Sequence, residues 1–300
     1  MAELETLQGY LTEAGLKFIP VDERTLGLLF KGEVHEQILI QVRVADGLVI
    51  ALSPVPDKPE DETILHNLLR VTMDADMLKV FGGQNDILLA SEVPFEHVRK
   101  GNLEGIIRQL VQAVDVTAQK MRDLEQFQQT VLLGTYICRQ ASGPLYSGNA
   151  AAAIPGYCQA AGIEYTKLDE SKFRVSSPGT ILKLNIVVVC RDSLVTFLAF
   201  TDLKCTGSRR EFYQRLFDLN RRVNVARVAM DKDDELCFIY EVPGMNQQTF
   251  QQAIQSLEQA VALFVMGSSA GGSGSAGPAA PPKPEARGGS FWDRLRGKKS

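Results

Sequence analysis

The sequence predicts an α+β protein in which one module is written twice, followed by a tail that does not fold with it. Three observations predict this. The stretch from Phe212 to Pro243 reads as helix, strand, acidic turn, strand and Glu-Val-Pro, and Thr63 to Pro94 has the same grammar and the same ending. Leu7 to Phe18 aligns without gaps on Ile154 to Tyr165, sharing Gly-Tyr and Ala-Gly, and both continue to Asp-Glu at Asp22-Glu23 and Asp169-Glu170. After Met266 the chain turns to Gly, Ser, Pro and Ala with almost no large apolar residues, too little to offset the entropy of ordering.

In chain order, Leu4, Leu7, Leu11 and Ala14 keep helical spacing, and Gly15 is placed to end that helix. Strand-like runs follow at Leu26–Phe30, Gln37–Val44 and Leu48–Leu52. Asp46-Gly47 forms the two-residue hairpin turn between the last two, because both positions tolerate positive φ. Pro54, Pro56 and Pro59 break the sheet, and Asp61 is placed to cap a helix from Glu62 to Met73. A second hairpin spans Leu78–Phe81 and Asp86–Glu92. From Leu103 the apolar spacing predicts one long helix to about Gln140, whose second half connects the modules.

The second copy repeats the order, with strands at Lys172–Ser176, Leu182–Cys190 and Leu194–Phe200 and a last helix from Gln247 to Phe264. Each copy reads α-β-β-β-α-β-β-α with antiparallel sheets. The expected divisions are residues 1–117, a connecting helix and loop over 118–148, residues 149–266, a disordered linker over 267–289, and a short basic amphipathic motif over 290–300. The linker separates its ends by about 25–30 Å if it behaves as a flexible coil.

Charge is unevenly spread. The net charge is −4, but six Lys/Arg and two Asp/Glu from Lys283 to Ser300 leave +4 there and −8 on the rest. An acidic body argues against wholesale nucleic-acid binding, which neutralises phosphates. The five cysteines form no Cys-x-x-Cys pair and suit buried thiols in a reducing cytoplasm. The acidic N-terminus has no apolar leader, and no apolar run approaches the roughly 20 residues of a membrane span.

Catalytic signatures are sparse. His35, His66 and His97 are scattered, without a neighbouring His or Cys at ligand spacing. Asp231-Lys-Asp-Asp-Glu235 lacks the Gly and Glu that a calcium loop requires at its sixth and twelfth positions, so a solvated hairpin turn is expected. Gly82-Gly83 lacks the ending of a phosphate loop. No catalytic residue, cofactor or metal is expected. Arg209-Arg210 and Arg221-Arg222, on one helix, read as an anion patch or as a solvated face.

The motif from Leu216-x-x-Leu219-Asn220 through Met230-Asp231 to Glu241-Val242-Pro243 resembles the YbjN domain and the related type III secretion chaperone-like fold. Ile64-Leu65-x-Asn67 and Val93-Pro94 echo it. The resemblance covers about Leu4–Ala118 and Ala152–Met266. It implies a non-catalytic protein, either a chaperone-like binder of protein segments or a sensory-transduction regulator. Single-module members of that kind dimerise, which implies an intrachain pseudo-dimer here and allows a homo-oligomer. Asn67 and Asn220 are the motif's polar positions. An Asn near a helix end caps the last carbonyls or adopts positive φ, and a ligand contact is the alternative.

Two functional expectations follow: a cytoplasmic peptide- or protein-binding adaptor presenting a sheet edge or inter-domain groove, or a regulatory scaffold whose domains position the tail. In the tail, Phe291, Trp292 and Leu295 share one helical face beside Arg294 and Arg296. That face suits a protein groove, or weakly an anionic membrane.

Overall fold

A computed structural model describes residues 2–55, 61–82, 86–142, 150–179, 183–191, 194–203 and 208–269. The expected linker is corrected at its start, where residues 267–269 continue the last helix; the rest of it and the tail motif, with Phe291, Trp292, Arg294, Leu295 and Arg296, lie outside the described residues. The first of two compact units runs from Met1 to Val265 and contains both modules. Of the second, which begins at Met266, only residues through Ser269 are described.

The first module comprises α1 (Ala2–Glu13), β1 (Ile19–Asp22), β2 (Thr25–Phe30), β3 (Ile38–Ala45), β4 (Leu48–Pro54), α2 (Glu62–Asp74), β5 (Leu78–Gly82), β6 (Ile87–Pro94) and α3 (Lys100–Val114). After α4 (Ala118–Arg122) and α5 (Leu124–Ser142), the second repeats the order. It consists of α6 (Ala150–Ala161), β7 (Tyr165–Lys167), β8 (Lys172–Ser176), β9 (Asn185–Cys190), β10 (Val195–Phe200), α7 (Arg209–Arg222), β11 (Arg227–Met230), β12 (Leu236–Val242) and α8 (Gln247–Ser269). The antiparallel sheets run β1-β2-β3-β4-β6-β5 and β7-β8-β9-β10-β12-β11, the same topology twice.

Each module carries one more strand than the periodicity predicts. β1 and β7 are short and exposed, so they lack the apolar alternation that marks a half-buried strand. Equivalences nevertheless hold residue by residue. Gly15 and Gly162 end α1 and α6 at φ 70° and 65°. Asp22 and Asp169 each accept the N–H two residues on, from Arg24 and Ser171 at 2.8 Å. Ile19 faces Gly27 as Thr166 faces Arg174. Gly9-Tyr10 and Gly156-Tyr157 therefore hold the same places relative to the ends of their helices.

The expected long helix from Leu103 is a correction: it is three helices. α3 stops at Asp115, whose carboxylate is taken by the backbone N–H groups of Glu33, Val34 and His35. Thr117 then caps α4 through the Lys120 N–H, and Asp123 accepts from Gln126 in the first turn of α5. The buried Val116 and Met121 carry the apolar spacing across the breaks, so periodicity alone does not reveal them. α5 folds back along α3 rather than running on between modules. A Cβ on Gly105 would lie 2.8 Å from the Cys138 carbonyl oxygen, and one on Gly134 would lie 3.3 Å from the Gln109 Cα.

One face of each sheet packs on helices. In the second module Phe197 meets Phe250 of α8 at 5.8 Å, and Phe250 meets Tyr157 of α6 at 5.7 Å. One hydrophobic cluster continues through both modules. On the opposite face of the second sheet, Ala229, Cys237 and Ile239 form a smaller cluster against Met73 of α2. The modules thus share α2 and α7 at their junction. No helix among the described residues is long and apolar enough to cross a membrane.

Candidate functional site

The residues with chemical potential do not converge. His35 bonds the Val116 carbonyl at 3.1 Å, His66 contacts the Tyr213 hydroxyl at 3.1 Å and Asp234 at 3.5 Å, and His97 lies 3.4 Å from the Thr249 hydroxyl. Burial holds His66 below its ordinary pKa against the pull of Asp234, and holds His97 down against Glu96. Burial likewise pushes Cys158 and Cys190 up to about 11 and Cys237 up to about 12, so these thiols are poor nucleophiles at neutral pH. Among the described residues no His, Cys, Asp and Glu group could hold a metal. Asp231 accepts the N–H groups of Asp233 and Glu235 in a closed hairpin turn. Arg209-Arg210 and Arg221-Arg222 occupy opposite ends of α7, about 18 Å apart, and form no common patch.

What does converge is a pseudosymmetric ion-pair cluster at the module junction. Lys79 of β5 binds Glu92 of β6 at 2.8 Å, and in the equivalent strands Arg227 binds Glu241 at 2.7 Å. Each cation also donates to a carbonyl just after the other module's helix: Lys79 to Val223, and Arg227 to Ala75 at 2.9 Å. Each carboxylate returns the exchange. Glu92 accepts the Val225 N–H at 2.7 Å and Glu241 accepts that of Met77 at 2.6 Å. Met77 and Val225 both have positive φ, at 55° and 61°, a rare backbone state for such side chains. Ala75, Met77, Lys79 and Glu92 thus answer Val223, Val225, Arg227 and Glu241.

Asn67 and Asn220 are not equivalent in this register. Asn220 stands five residues before the positive-φ Val225, and in the first module that place belongs to Thr72. Neither Asn caps its own helix or adopts positive φ. Asn67 donates to the Met121 and Arg122 carbonyls of α4, at 2.8 and 3.0 Å. Asn220 accepts the Val228 N–H, donates to the Val228 carbonyl, and reaches the Val80 carbonyl of the other module at 2.8 Å. Asn220 thereby occupies the outer backbone groups of β11 and one of β5.

The inner edges of both sheets are therefore covered at the junction, leaving β1 and β7. β1 is blunted by Pro20, which has no N–H, and by a register shift between Pro20 and Asp22. β7 is regular, and Lys167 stands where β1 has Pro20. The Leu168 N–H bonds the Lys172 carbonyl and the Ser176 N–H bonds that of Glu164. The antiparallel alternation then makes Thr166–Arg174 a bonded pair and turns the N–H groups of Tyr165 and Lys167 outward.

Beside this edge lies the uncovered part of the second sheet. Thr166, Arg174, Val187, Leu198 and Ile239 form one cross-strand row. Lys172, Val189, Thr196 and Glu241 form the next. Exposure grades along them: Ile239 is sealed, Val187, Val189 and Leu198 are half-buried, and Arg174 and Lys172 are open. Phe200, on the same face, is 47% exposed. β7 escaped the sequence reading because three exposed residues carry no pattern, and the ion-pair cluster because Lys79 and Arg227 look like surface charges. The signal that was present is the Glu of each Glu-Val-Pro.

No family model, curated protein or solved structure matches this chain.

Proposed function

We propose that this protein is a non-catalytic cytoplasmic adaptor of the YbjN or secretion-chaperone-like kind, which holds an extended segment of a partner protein as an added strand on β7. The observation that carries the reading is the open, regular β7 edge beside a partly apolar sheet face, while β5 and β11 are covered at the junction and β1 is blunted by Pro20. An extended peptide gains main-chain hydrogen bonds from Tyr165 and Lys167, and its alternate side chains stand beside Thr166 and Arg174, in the row that continues inward to Val187 and Leu198. The junction provides rigidity rather than chemistry: its charges are consumed by each other and by backbone groups.

Panning a phage-displayed random dodecamer library on the full chain tests this. Enriched peptides are expected to bind the native chain and to lose at least tenfold in affinity for Lys167→Pro, which removes one outward N–H, while its circular dichroism and melting temperature stay near those of the parent. Enriched peptides that bind Lys167→Pro equally, or a library that yields no binder, would overturn the reading.

A further inference from the structure

Resting on the adaptor reading, we infer that the segment held at β7 is acidic, with carboxylates alternating with β-branched or other apolar residues. The face that such a strand would extend carries Lys172 and Arg174, two residues apart on β8, and the opposite face of β7 carries Tyr165, 42% exposed against Phe173. Among the described residues in the rows of Lys172 and Arg174 the only carboxylate is Glu241, which is buried and already bound to Arg227 and the Thr196 hydroxyl. Lys172 is held by an exposed turn acid, Asp169, at 3.2 Å, a pair that exchanges readily. Arg174 has no acidic partner among the described residues and stands one strand in from the edge.

A strand added to β7 lies about 4.8 Å outside it, and its side chains on this face point the same way as Thr166 and Arg174. A glutamate there lies within reach of the Arg174 guanidinium, which suits a bidentate carboxylate contact. A lysine in the same place meets the like charge of Arg174, while the nearest carboxylate on that face of the edge, Glu164, stands one row away, opposite Ser176. The negative charge of the body does not reverse this preference. At physiological salt the screening length is about 8 Å, so the nearest cations dominate over distant acids.

The experiment uses three fluorescein-labelled ten-residue peptides in which Val or Ile alternates with Glu, with Lys or with Ser, titrated against the full chain by fluorescence anisotropy at about 50 and 300 mM NaCl. The expected order is Glu tightest and Lys weakest, separated by at least tenfold, with the Glu peptide weakening several-fold at the higher salt. Arg174→Glu, at an exposed position, should invert the order, and Arg174→Gln should level it. If the three peptides bind alike and Arg174→Glu changes nothing, the acidic preference is overturned while strand addition stands. If no peptide binds, or if Lys167→Pro leaves the binding intact, the adaptor reading fails and this inference with it.

Discussion

A buried carboxylate that serves two modules at once is the most consequential residue type in this chain. Glu241 answers Arg227, the Met77 N–H and the Thr196 hydroxyl within one sealed site. Removing it leaves a buried guanidinium without its counter-ion, for which about 3–5 kcal/mol is the ordinary cost. Glu241→Ala is therefore expected to lower the urea midpoint by that equivalent, and replacing Arg227 and Glu241 together by Met and Leu should cost much less. The two junction histidines add a pH dependence. Burial depresses both pKa values below the usual 6.5, so the unfolded chain takes protons before the folded one. Their contribution is present above the unfolded value near 6.5 and is lost as the pH falls through the depressed folded values. Denaturation midpoints at pH 8, 6 and 5 should decline in that order, and His97→Gln should flatten part of the decline. The carboxylates held low, Asp61 and Asp115, act only at more acid pH.

Among the elements, the α3–α5 pair depends on closeness. Gly105 and Gly134 let the helices approach until side chain meets backbone, and a methyl group at Gly105 meets the backbone of Cys138 at 2.8 and 2.9 Å. Backbone cannot rotate away, so Gly105→Ala should force the helices apart and cost on the order of 1–3 kcal/mol, read as a fall in melting temperature. Gly9→Ala, with open space around it, should cost nothing or stabilise α1 slightly. The elements also show what a sequence discloses. The Asp46-Gly47 turn, the Asp61 cap and the Gly15 helix end were legible because each is a local rule satisfied by local residues. The break at Asp115 was not, because Asp115 ends α3 by serving Glu33 to His35, some eighty residues earlier in the chain. β7 was not, because three exposed residues pair with β8 for reasons of register alone.

At the scale of the molecule, duplication was legible through Gly-Tyr, Ala-Gly, Asp-Glu and Glu-Val-Pro; of these, Gly15 and Gly162 end helices at positive φ, Asp22 and Asp169 close turns, and the two Glu residues sit in the junction. The relation between Asn67 and Asn220 was misleading: both lie inside helices, but Asn67 sits early in α2 and serves α4, whereas Asn220 sits near the end of α7 and reaches the junction. The candidate binding edge emerges by elimination across the whole molecule, since three of the four sheet edges are covered or blunted. Amide hydrogen exchange tests that claim most directly. With the Glu-alternating peptide at saturation, the account predicts that exchange slows at the amides of Tyr165 and Lys167, and that β1 is unchanged. Protection that appears elsewhere, with the Tyr165 and Lys167 amides exchanging as fast as in the free protein, would contradict it.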